Sequence, residues 1–293
     1  MLNEINGIFP INKPSGISSN KILQRIKYFF KAKKAGHTGT LDPLATGVLP
    51  ICFGKATKFS RFLINENKAY YAKIKLGTST DSGDIEGKII KKSKTNTFNP
   101  YDIKKVLDSF KGESEQTPPM FSALKYKGQR LYDLARKNIE VPRKKRKINI
   151  YELKCLNYDS INNTIKIYVA CSKGTYIRSL AIDIGEKLNC GAHITELRRK
   201  KCGIFEDYKS LNVSELSKEN LKNLYHNIYP IETAFINKKR VNFSYLEIKK
   251  LFQTKELRKY NQLDGVIRVC NSLNQCLGIA HFDKGKILFS KLF

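Results

Sequence analysis

The chain has 293 residues, 41% of them hydrophobic, with 54 Lys and Arg against 26 Asp and Glu, a formal charge of +28. That length and apolar content support one large domain plus a small one and exclude wholesale disorder. The charge excess points to a polyanionic partner, RNA or DNA first, although a genome biased toward Lys, Asn and Ile would raise the charge in the same way.

Residues 7–12 are expected to form a strand ending in the turn Asn12-Lys13-Pro14-Ser15-Gly16. Ser18 or Ser19 can cap the helix that follows, since Ile22, Leu23, Ile26, Phe29 and Phe30 recur at helical spacing. The opposite face carries Lys21, Arg25, Lys27 and Lys31, and the helix runs into Gly36-His37-Thr38-Gly39-Thr40-Leu41-Asp42-Pro43-Leu44-Ala45-Thr46-Gly47. Pro43 bars Asp42 from helical backbone space, and the glycines permit tight turns and close approach of a ligand. A lone carboxylate on so stiff a loop suits a nucleophile, but the loop taken alone is read first as an ordinary Asp-Pro turn.

Ala69–Leu76 alternates as a half-buried strand, with Tyr70, Ala72, Ile74 and Leu76 on one face and Tyr71, Lys73 and Lys75 on the other. Residues 101–111 are expected to be helical, and Gln116–Ala123, with Pro118-Pro119, cannot continue that helix. From Lys125 to Lys147 the chain is basic, with Tyr126 and Tyr132 among the cations; this suits stacking on bases and contact with phosphates as well as it suits a solvated face. Thr164–Cys171 is a second strand, and Ser172-Lys173-Gly174 turns it into a helix through Leu188 whose buried stripe is Ile177, Leu180, Ala181, Ile184 and Leu188. Arg178 lies beside that stripe; a solvated arginine is the default there, but at the edge of a buried face it is better placed than most to meet an anion or a carboxylate. Residues 210–240 are polar and partly helical, and the tail from about 241 has a short helix followed by strand-like runs at 266–270, 277–282 and 286–289.

No apolar run approaches the ~20 residues of a membrane span, and the N-terminus lacks the layout of a signal peptide. The seven cysteines form no Cys-x-x-Cys pair and the four histidines no ligand-spaced cluster. The expectation is a cytoplasmic protein with reduced thiols, no metal and no membrane association.

Several separated motifs together resemble the TruB-type tRNA pseudouridine synthases, which isomerise the T-loop uridine at position 55. They are Asn12–Gly16, Lys34–Gly47, Lys68-Ala69-Tyr70, Leu76-Gly77, Asp81-Ser82-Gly83-Asp84, Gln116–Ala123, Cys171–Arg178, Gly191-Ala192-His193 and Leu197-Arg198-Arg199, in the family's order from residue 8 to about 205. Thr40 stands where other members often carry alanine. The resemblance implies an α+β fold, a mixed and mainly antiparallel central sheet with flanking helices, and a small β-rich C-terminal PUA-like domain. It divides the chain into a catalytic domain over 1–237, with a thumb-like RNA-binding insertion at about 116–147, and an RNA-binding module over 238–293. It implies Asp42 as nucleophile, Arg178 as its partner, Tyr70 stacking on the flipped base, Leu197 lining the pocket and His37 filling the space the nucleotide vacates. Lys13, Lys125, Arg130 and Tyr176 are expected to meet RNA. The implied partner is the T-arm of tRNA, bound by a monomer that needs no cofactor.

This chemistry suits the residues. An ionised carboxylate can attack a sugar or a base carbon, and which it attacks is open at this point. A buried aspartate tends to protonate, so Arg178 is expected to hold its pKa low. A non-catalytic RNA binder needs none of Asp42, Tyr70 and Arg178 together. A guide-RNA-dependent synthase is the other alternative, disfavoured by the short tail and the insertion.

Overall fold

Strand β1 (Gly7–Lys13) is buried along almost its whole length and leads into helix α1 (Ser19–Phe29). Ser18 caps α1 by accepting from the Lys21 backbone N–H, and Ile22, Leu23 and Ile26 form its inner face, as their spacing indicates. Strands β2 (Ala35–His37) and β3 (Thr46–Phe53) flank the Asp42 loop. Next come α2 (Ser60–Ile64), β4 (Lys68–Leu76) and a hairpin of β5 (Thr78–Thr80) with β6 (Ile89–Lys92). Then follow α3 (Pro100–Asp108), β7 (Gly112–Gln116), a hairpin of β8 (Lys125–Tyr126) with β9 (Gln129–Arg130), and α4 (Leu131–Arg136). The body is completed by β10 (Arg146–Asp159), β11 (Thr164–Cys171), α5 (Ile177–Lys187), β12 (Ala192–Cys202), β13 (Phe205–Glu206), β14 (Leu211–Asn212) and α6 (Leu221–Tyr225). The computed structural model describes residues 4–93, 97–217, 219, 221–253, 260 and 262–293; parts of the polar segment and of the tail at 218, 220, 254–259 and 261 lie outside the described residues.

Ten strands form one mixed sheet with the main order β14-β1-β3-β12-β4-β11-β10-β7, and β2 and β13 pair with β3 and β12. Among the described residues the β1/β14 and β3/β12 pairs are parallel and the other pairs of this sheet antiparallel, matching the fold class expected from the motifs. On one face, α1, α3 and α5 bury a continuous core that includes Phe9, Ile51, Ile74, Ile167, Val169 and Ile184.

Several strands escaped the sequence reading, β3, β10 and β12 the longest of them. β10 begins inside the segment taken as a basic stretch, and β12 carries His-Ile-Thr-Glu-Leu-Arg-Arg-Lys-Lys, which looks solvated. Both contain register shifts, at Ile150/Glu152 and Cys155/Asn157 in β10 and at Ile194/Glu196 and Arg199/Lys201 in β12. A bulge adds a residue and resets which face the next side chain takes, so period-two alternation is lost.

The C-terminal segment has its own four-stranded sheet, β15 (Arg240–Asn242), β16 (Gly265–Cys270), β17 (Cys276–Asp283) and β18 (Lys286–Leu292), with α7 (Tyr245–Gln253) against it. Phe243, Leu251, Ile267, Val269 and Phe282 form its core. Its other side joins the body: Ile279, Phe289 and Phe293 pack with Phe59, Phe62 and Phe235 beneath the large sheet.

Candidate active site

A cleft of about 1030 Å³ opens between the start of α1, the loop after β5 and the 121–138 segment, with Asp42 and Arg178 in its lining. The volume is at the upper end of ordinary ligand pockets. Asp42 sits on the β2–β3 loop. Arg178 is in the first turn of α5, its side chain only 5% exposed, while the Asp42 carboxylate keeps 32% exposure toward the cleft. The two are joined in a fork: Arg178 Nη2 donates to Asp42 Oδ1 at 3.0 Å, and Nε lies 2.9 Å from Oδ2. This places the pair named from the sequence in direct contact across 136 residues of chain.

The remaining guanidinium donors tie Arg178 to the walls. Nη1 donates to the Ser82 carbonyl at 3.1 Å and Nη2 to the Phe121 carbonyl at 2.8 Å. A second carboxylate, Asp84, lies 3.4 Å from Nη1 and is almost fully buried. Ser82 Oγ donates to Asp84 at 2.6 Å and the Glu86 backbone N–H at 3.1 Å, which fixes the second carboxylate. The sequence reading quoted Asp84 within a motif and gave it no role, because nothing local marks it as buried beside an arginine 94 positions later in the chain.

Burial pushes the Asp42 carboxyl above the ordinary aspartate value. The Arg178 charge opposes this, the Asp84 charge adds to it, and the Arg178 hydrogen bond and Lys13 pull it back. The net direction is upward, so the expectation of a depressed value is corrected: burial and the second carboxylate outweigh the arginine.

Lys13, expected to meet RNA, is fully buried instead. Its ammonium donates to the carbonyls of Pro14, Ile17 and Pro43 at 2.7–3.0 Å, so it anchors the Asp42 loop from below. Burial lowers its pKa to about 8. Gly47 closes the loop at φ +103°, and a Cβ there would overlap the backbone of Arg199 on β12, so this parallel β3–β12 contact requires glycine.

The remaining predicted residues fall in three groups. His37, Lys125 and Arg130 line the cleft. His37 is half-buried on β2, its Nδ1 has no hydrogen-bond partner, and burial with the Arg199 charge lowers its pKa, favouring the neutral ring. Lys125 and Arg130 face each other on the β8–β9 hairpin, where Arg130 donates to the Tyr132 hydroxyl at 2.9 Å and Arg130 and Arg136 both lie over the Tyr132 ring. Tyr70 and Leu197 are inward on β4 and β12, at 8% and 7% exposure, in the apolar cluster that also carries Leu41, Leu44 and Ala45 of the Asp42 loop. Tyr176 caps α5, its backbone clamped by both ends of the Gln116 amide at 2.8 and 3.0 Å, and Ser179 Oγ donates to the Thr117 carbonyl at 3.0 Å. The root of the insertion is thus fixed to the turn that carries Arg178. Among the described residues there is no cluster of metal-ligating side chains, and no helix is long and apolar enough to cross a membrane.

A family model described as the N-terminal domain of TruB family pseudouridylate synthases matches residues 27–177, and one described as the tRNA pseudouridylate synthase B C-terminal domain matches residues 178–236. The tRNA pseudouridine synthase B of Francisella philomiragia subsp. philomiragia is 46% identical over 290 residues, covering 99% of this chain and 95% of that protein; that of Francisella tularensis subsp. novicida matches with the same identity and coverage. Among solved structures, a chain of a Cbf5-Nop10-Gar1 complex aligns at a TM-score of 0.73 and 23% identity, over 98% of this chain and 84% of that one. The archaeal box H/ACA sRNP Nop10-Cbf5 complex aligns at 0.70 and 21%, over 98% and 85%. The solved structures share the fold, the near-full-length relatives and the two domain models share the sequence, and on these grounds the chain belongs to the TruB family of pseudouridylate synthases.

Proposed function

We propose that the chain converts uridine to pseudouridine at position 55 in the T-loop of tRNA, with Asp42 as nucleophile. One observation carries this reading: the forked Asp42–Arg178 ion pair in the lining of a nucleotide-sized cleft. The 46% identity to tRNA pseudouridine synthases B supports the choice of tRNA. The reaction is an isomerisation. The C1′–N1 bond breaks, a C1′–C5 bond forms, the proton leaves C5 and N1 gains one, so no donor, cofactor or redox partner is consumed.

Asp42 attacks the sugar or the base while Arg178 and Asp84 hold its orientation. The target base leaves its stack at a cost of a few kcal/mol, partly returned by stacking on Tyr70, with Leu197 lining the pocket and His37 filling the gap left in the RNA. Lys125, Arg130 and Tyr176 contact the T-arm. Residues 1–237 act as the catalytic domain, with the insertion at about 116–147, and 238–293 as a PUA-like RNA-binding module. The protein works as a monomer in the cytoplasm, in keeping with its free cysteines.

The test is incubation with an unmodified tRNA transcript, without guide RNA, followed by pseudouridine mapping through carbodiimide derivatisation. One modified T-loop uridine is expected. Binding without modification would leave an RNA-binding protein, and activity only with added guide RNA would place the chain in the guided class.

A further inference from the structure

Arg199 is one of the largest fully buried side chains in the molecule, at 1% exposure. Among the described residues it makes no ion pair with a carboxylate. A buried charge of this kind is costly unless its donors are satisfied. Its donors go to backbone carbonyls on both ends of the catalytic loop: Nε to Val48 at 2.8 Å and Nη2 to Gly39 at 3.2 Å. On the other side, Arg199 is the register partner of Tyr70 across the β12–β4 ladder. Its charge and a hydrogen bond oppose the upward push of burial on the Tyr70 phenol.

We infer that Arg199 is a positioning residue for the reaction, holding the Asp42 loop and the Tyr70 ring as one rigid unit. This rests on the proposed activity. The planar fork is what the task requires: it spans from β3 to Gly39 while its charge bears on the phenol, and a lysine ammonium on a flexible stem cannot bridge the same points. Because Arg199 is enclosed, it serves the chemical step and not the grip on RNA. A purely structural arginine would instead lower thermal stability and activity together.

The test uses the full chain and unmodified tRNA transcript. Arg199→Lys keeps the charge and loses the fork; Arg199→Met keeps the length, removes the buried charge and leaves the Val48 and Gly39 carbonyls without their donor, so it reports the stability cost of losing those bonds. For each, melting temperature, tRNA Kd and the single-turnover rate are measured as ratios to wild type, and Arg199→Lys is repeated in a Tyr70→Phe background. The expected result for Arg199→Lys is a melting temperature within a few degrees of wild type, Kd within about threefold, and a rate lowered about 100-fold; Arg199→Met should melt lower and, where folded, lose rate at least as much with Kd still within about threefold. In the Tyr70→Phe background the further loss should shrink at least tenfold, a coupling of about 1.4 kcal/mol. A rate within threefold of wild type in either folded variant, or losses at 70 and 199 that simply multiply, would overturn the assignment. Failure of both variants to fold would assign Arg199 to the fold alone. A wild-type protein that forms no pseudouridine refutes the activity itself, separately from these ratios.

Discussion

At the scale of single residues, the site is two carboxylates competing for one arginine. Arg178 holds Asp42 through a fork and Asp84 through a longer contact. Asp42→Asn preserves the shape and loses the charge, so pseudouridine formation should be undetectable in a carbodiimide assay while tRNA Kd changes less than about tenfold, ~1.4 kcal/mol. Substantial turnover by this variant would remove Asp42 from the nucleophile's role. The raised Asp42 value also sets a pH dependence. The ionised carboxylate is the reactive form, so the single-turnover rate should fall as pH drops through a midpoint above the ~3.9 of an ordinary aspartate. The stability sign is opposite. A folded-state value above the unfolded one favours folding at low pH, and that contribution is lost as pH rises through the folded value. A rate midpoint at or below the ordinary value would show that Arg178 dominates after all.

At the scale of elements, the catalytic loop is held by buried polar groups as well as by its own sequence. Lys13 satisfies three carbonyls, one of them on Pro43 beside Asp42. Lys13→Met fills the same space and leaves those acceptors without their donor. Each unsatisfied buried acceptor costs about 1–3 kcal/mol, some of it recovered by relaxation. The expected outcome is a drop in denaturant midpoint equivalent to about 2–4 kcal/mol together with slower turnover; unchanged stability would mean water enters to replace the ammonium. Helices α1, α3 and α5 and strands β4 and β11 were legible because their helical spacing or alternation is unbroken, and β1 as a short apolar run. β10 and β12 were not, since bulges move Leu153 and Arg199 out of phase with the residues before them. Buried Lys13 and Arg199 were unreadable for a related reason: a charged residue on a strand looks solvated until its carbonyl partners are known.

At the scale of the whole molecule, a charge of +28 predicts that tRNA affinity falls steeply with salt, by roughly 0.7–0.9 log units per decade for each phosphate neutralised. Kd measured across a salt series checks this, and a flat series would argue against a phosphate-dominated interface. The C-terminal segment shares a core with the body. Phe289 and Phe293 pack with Phe59, Phe62 and Phe235, so deleting 241–293 exposes a buried aromatic cluster. The truncated chain should melt at lower temperature and aggregate; Phe235→Ala in the full chain should cost about 3–5 kcal/mol by the same packing loss. A truncation that melts like the full chain would show that the two parts fold independently.

The sequence by itself determined the class of chemistry, the pairing of Asp42 with Arg178, and those elements whose helical spacing or alternation is unbroken, because these rest on local backbone rules and on motifs in a fixed order. The tertiary structure alone decided that Asp84 joins the pair, that Lys13 and Arg199 are buried braces, and that the tail shares a core with the body. Each of these depends on contacts between distant parts of the chain, where burial, not residue type, sets what a charged side chain does.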